Sequence, residues 1–202
     1  NVVLFMDDPN SIKSLPFISK SCQMAMRTLK VNPASFCFAP HIVLRYFPNI
    51  NTMVVQNLTS FRQTDILPDS VTSIIVKCLN FPNLTTSCLR YADRVVEIRS
   101  IFTLYGFTAD FTVFPTLERL TLNQLYVNFV LPKHTLKHLT VRCSKNDGPV
   151  SLSLFPPESA EQIVVVYKSL KGFVGAKSEA HPPHVRVFCR EIGEGVAPED
   201  FY

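Results

Sequence analysis

The sequence predicts an α/β chain: a solenoid of short parallel strands, with irregular loops on its convex side, behind an N-terminal helical cap. Three observations predict it. A phrase recurs in which an apolar residue and a proline lead, after a few spacers, into apolar-x-x-apolar-x-apolar. It reads Phe47-Pro48-Asn49-Ile50 through Val55, Leu67-Pro68 through Val76, Phe114-Pro115 through Leu122, and Leu131-Pro132 into Leu136, Leu139 and Val141. Its second half alternates with period two, the pattern of a short strand with one buried face. The first anchors fall at Ile50, Val71, Val95, Leu117, Leu136, Ala160 and Pro182, between 19 and 24 residues apart. A strand returning at that interval implies stacked units that bury a shared core.

Residues 1–46 form the predicted cap. Asp8 followed by Pro9 reads as an N-cap and first helical residue. Phe17, Ile18, Cys22, Ala25, Met26 and Leu29 return at helical spacing, so residues 8–30 are expected to form one or two helices. Pro16 interrupts the second of these or starts it.

Residues 47–202 form the predicted repeat region. Where it is present, the proline fixes φ and holds the preceding residue extended, which suits a turn into the next strand. Phe47, Phe114 and Phe155 stand at that turn and are expected to fill space beneath it. The third unit lacks the proline and offers Val95, Ile98 and Ser100. The fifth is Leu136, Leu139 and Val141, the sixth Ala160, Ile163 and Val165, and the last Pro182, Val185 and Val187. Residues 144–149 make a turn cluster, and 171–183 a second exposed loop.

These units resemble leucine-rich repeats, whose consensus is L-x-x-L-x-L-x-x-N. The resemblance covers about residues 47–190 and implies a parallel sheet on a concave face that binds protein partners. The asparagine slot departs from it, holding Leu58, Leu79, Thr103, Leu125 and Ser144. The stretch from Val2 to Cys22, with Asp8-Pro9 and Ile18-Ser19-Lys20-Ser21-Cys22, is similar to the F-box pattern. A plain helical cap accounts for the same residues. The pairing of such a cap with F-P-N-I repeats resembles intracellular leucine-rich-repeat proteins of protozoa. If F-box-like, the chain would be a substrate receptor of a ubiquitin ligase. Related repeat folds also imply a regulatory subunit of a protein phosphatase.

Composition bounds the alternatives. The hydrophobic fraction is 47%, with 16 Phe, enough for a real core. No apolar run is long enough to span a membrane. Six cysteines fit neither a dense disulfide framework nor a C-x-x-C metal site, which points to thiols in a reducing, cytoplasmic setting. No nucleophile elbow, phosphate-binding glycine loop or zinc-protease motif is present, so no catalytic residue, cofactor or metal is expected. His134 and His138 lie four apart, but on a strand rather than on one face of a helix.

The candidate site is the strand face pointing away from the core. Side-chain alternation puts Lys77, Arg99, Arg119, Thr121, His138, Thr140, Arg142, Val164, Arg186 and Phe188 there. Lys77, Arg99, Arg119, Arg142 and Arg186 read as a basic track interrupted by Glu97. Arginine recognises carboxylate and phosphate through paired hydrogen bonds, so an acidic peptide or protein is the expected partner. Val164, Val166 and Phe188 add an apolar patch suited to a binding hot spot. The net charge of +4, with aromatics in core slots, argues against nucleic acid.

Overall fold

The computed structural model describes residues 2–86, 88–102, 108–123, 128–143, 155–168 and 183–189. Pro182, the asparagine-slot residues Thr103, Leu125 and Ser144, the 144–149 turn cluster and most of the 171–183 loop lie outside them. The chain is mixed α/β. Strands β1 (Thr52–Val55), β2 (Ser73–Val76), β4 (Val95–Ile98), β7 (Arg119–Asn123), β9 (Leu136–Cys143), β10 (Ala160–Tyr167) and β11 (Val185–Cys189) form one seven-stranded sheet. They lie side by side in chain order, and every pairing is parallel. Two small parallel pairs flank this sheet: β3 (Leu79–Asn80) with β5 (Ile101–Phe102), and β6 (Thr108–Asp110) with β8 (Asn128–Val130). Short 3-10 turns, such as Leu58–Ser60, Phe81–Asn83 and Phe111–Val113, make up much of the described connections.

The recurrent apolar anchors build one core. Ile50, Met53, Val55, Val71, Ile74, Val76, Leu117, Leu120, Leu122, Leu136, Leu139 and Val141 are all buried within it. Phe47, Phe114 and Phe155 join them at the turns. Each such side chain contributes about 1.5–3 kcal/mol on burial. Leu58 and Leu79 are fully buried where the repeat consensus would have asparagine, so apolar contact replaces a polar ladder there.

One register differs from the sequence expectation. The phrase aligns Ile98 with Ile74, but Ile98 pairs with Val76. Ile74 pairs with Val95 and Ile75 with Glu97, so Val96 is an extra residue at a bulge. Val95 and Ile98 still face the core as the spacing expects, with Val96 half-buried between them, so the bulge changes the pairing and not the inward side. The slip is two residues at Ile98, which keeps its side chain facing the core.

The cap is two short helices, α1 (Pro9–Ile18) and α2 (Lys20–Thr28), with a third, α3 (Pro40–Tyr46), before the first strand. Asp8 caps α1, accepting from Asn10 N at 3.1 Å and Ser11 N at 2.9 Å. Ser19 caps α2 through Cys22 N at 3.1 Å. Pro16 sits inside α1, two residues from its end. Ile12, Met26 and Leu29 are buried, but Phe17 and Ile18 are 85% and 67% exposed. The single extended residue Ser19 restarts the helix, so the apolar periodicity does not run through it.

Asn32 joins the cap to the sheet. It is buried, and its Oδ1 accepts from Val54 N at 2.8 Å while its Nδ2 donates to Val54 O at 2.9 Å and Phe36 O at 3.1 Å. Val31 makes a parallel bridge to Thr52 just before it. One side-chain amide thus continues the ladder of a neighbouring strand and closes the edge at β1.

Candidate functional site

The outer face of the sheet, opposite the core, is ordered by the strand register. One row across the strands is Ile75, Glu97, Arg119, His138 and Gln162. A second runs Thr121, Thr140, Val164 and Arg186. A third runs Asn123, Arg142, Val166 and Phe188. Neighbours within a row are about 4.8 Å apart, and successive rows about 6.6 Å. The basic residues expected to form one track are therefore spread over several rows: Arg119 in the first, Arg186 in the second and Arg142 in the third.

At the N-terminal end this face is occupied. Lys77 Nζ donates to Ala34 O at 3.3 Å, which ties it to the cap. That hydrogen bond lays the loop after Asn32 against these strands, where burial pushes the Cys37 thiol up and the charges of Lys77 and Arg99 partly oppose this. Val54 is buried on this face, apart from the main core. Arg99 Nε donates to Glu97 Oε1 at 2.7 Å, neutralising both beside Arg119. Lys77 and Arg99 are engaged within the chain, contrary to their place in an open basic track.

From β7 onward the face is different. Arg119, Arg142 and Arg186 are exposed, and Thr121, His138 and Phe188 are half-buried. Among the described residues Arg119 and Arg186 enter no ion pair. Two residues expected to be accessible are not: Thr140 is 7% and Val164 is 2% exposed. Val164 lies in register between Thr140 and Arg186 and along its strand between Gln162 and Val166. A short branched side chain ringed by neighbours in four directions is screened from a partner, so the apolar contribution falls to Phe188 and Val166. Asn123 donates to Ser100 Oγ at 2.5 Å, yet its buried Oδ1 finds no hydrogen-bond partner among the described residues. Side-chain alternation puts Asn123 on this face with Arg119 and Thr121, but its unpartnered oxygen depends on the neighbouring strand and is not legible in sequence.

Other expectations resolve similarly. His134 Nε2 lies 2.6 Å from Leu117 O, so it braces the turn before β9 rather than facing His138. Cys22, Cys37, Cys78, Cys88 and Cys189 carry free thiols. Among the described residues no helix is long and apolar enough to cross a membrane. Compared with protein-family models, curated proteins and solved structures, the chain has no match.

Proposed function

We propose that this chain is a non-catalytic recognition module of the leucine-rich-repeat type that binds an acidic protein segment across the outer face of β7, β9, β10 and β11. The observation that carries the reading is the register, which sets Arg119 on β7, Arg142 on β9 and Arg186 on β11, one in each of three successive rows of one face. Three guanidinium groups spaced by strand geometry suit carboxylates or phosphates along an extended peptide. Thr121 and His138 supply further hydrogen bonds between them, and Phe188 an apolar anchor at the end. Seven parallel strands in chain order support the solenoid reading, with this face as its concave surface. The free thiols support a reducing, cytoplasmic setting.

The test is binding of the whole chain to arrays of acidic, phosphorylated and neutral peptides. The wild type is expected to retain acidic or phosphorylated sequences selectively. Arg119→Glu with Arg142→Glu should weaken this by roughly tenfold or more while the fold melts normally, since a charge-assisted hydrogen bond is worth about 1.5–3 kcal/mol. Equal binding by both proteins overturns the reading.

A further inference from the structure

The cap carries a second surface, remote in sequence from the strand face. Phe17 is 85%, Ile18 67% and Met24 57% exposed. Phe17 and Ile18 stand at the corner where α1 ends, and Ser19 turns the chain directly into α2. On α2, Lys20, Met24 and Arg27 follow at helical spacing along the exposed stripe, while Met26 is buried on the opposite side. Lys30 is exposed just beyond the helix. Residues 9–46 contain Lys13, Lys20, Arg27, Lys30 and Arg45 and not one Asp or Glu. Among the described residues Lys20, Arg27 and Lys30 make no ion pair.

Large apolar side chains held in water at a helix corner are unusual unless something covers them. What covers these must accept a protruding apolar tip and attract only positive charge. An anionic lipid surface meets both conditions: its interface takes up Phe, Ile and Met side chains, and its headgroups attract the flanking Lys and Arg. We infer that the α1–α2 corner is a peripheral docking site for anionic membranes, with Phe17, Ile18 and Met24 inserting and Lys20, Arg27 and Lys30 resting on the headgroups. It shares no residue with the strand face, so the two activities can be tested separately.

The chain contains no tryptophan, so Phe17→Trp makes a single reporter at the tip. Its emission is expected to shift to the blue with vesicles of phosphatidylcholine mixed with phosphatidylserine, and not with phosphatidylcholine alone. Co-sedimentation of the unmodified chain should follow the same selectivity and weaken as salt is raised. Lys20→Glu with Arg27→Glu should reduce it about tenfold or more, since each cation near the surface counts several-fold. Phe17→Ser with Ile18→Ser should abolish it with the melting temperature unchanged, because both residues are solvent-exposed. Three results would overturn the inference: no sedimentation with mixed vesicles, equal sedimentation with both compositions, or binding that survives Phe17→Ser with Ile18→Ser. An emission shift of the reporter on adding polyglutamate but not vesicles would also overturn it, assigning the tip to an acidic protein.

Discussion

The two ends of the sheet use the same strand pattern for different work. At β1 and β2 the outer face is turned inward on the chain itself: Val54 is buried, Asn32 completes the edge, and Lys77 reaches back to Ala34. From β7 to β11 the equivalent positions hold exposed arginines and a half-buried phenylalanine. The core face distinguishes the two ends less, since its described apolar anchors are buried from β1 to β10 and only Val185 and Val187 on β11 are partly exposed. Alternation fixes which side chains leave the core, but only the neighbouring segments decide whether they meet water or protein.

The largest effect should come from opening the N-terminal edge. Asn32→Ala leaves the buried Val54 N–H and C=O without partners, which should cost about 3 kcal/mol. For a chain of this size that lowers the melting temperature by roughly 6–12 °C. A thermal melt that moves by less than the error of the measurement would mean the edge closes without this amide.

Next in size is a polar clasp between the connections. The buried Tyr91 hydroxyl accepts from Leu67 N and donates to Asp65 O, both at 3.0 Å. Tyr91→Phe should destabilise by about 1–3 kcal/mol in denaturant unfolding while leaving peptide binding intact. Loss of binding instead would tie these connections to the strand face.

The ends can also be compared directly by charge reversal. Arg119→Glu alone should weaken acidic-peptide binding several-fold to about tenfold, whereas Lys77→Glu should change affinity little and lower stability slightly. Equal losses of affinity from both would erase the distinction between the two ends.

The smallest effect is at the helix start. The Ser11 hydroxyl, Ser11 N and Asn10 N hold the Asp8 carboxyl below the usual carboxylate range. A depressed folded value means the cap stabilises α1 above the unfolded value, near 4. That contribution fades as pH falls through the folded value. Helical signal from the cap should therefore weaken on acidification, and Asp8→Asn should flatten that dependence. An identical acid profile in the variant would exclude Asp8 as its source.

Much of the sheet was legible because the anchors repeat locally: Ile50-Met53-Val55 and Leu117-Leu120-Leu122 each announce a strand and its inward side without help from elsewhere. The bulge at Val96 was not, since the inward side of a strand can be read locally but its register against the neighbouring strand is set by tertiary pairing. Phe17 and Ile18 share the helical apolar spacing yet are exposed, because one extended serine resets helical phase, and serine within a helical pattern gives no warning of it. The open part of the site was harder still. Arg119 and Lys77 look alike in sequence, and only a carbonyl at Ala34, far away in the chain, separates them. Val164 is likewise apolar at an outward position, and its burial depends on strands on both sides.

Chemical-shift mapping with an acidic peptide selected from the array tests the central claim most directly. The account predicts perturbations at Arg119, Thr121, His138, Arg142, Arg186 and Phe188, with Thr52 through Val76 unmoved. Perturbations concentrated on β1 and β2, or on the 3-10 turns behind the core, would contradict it.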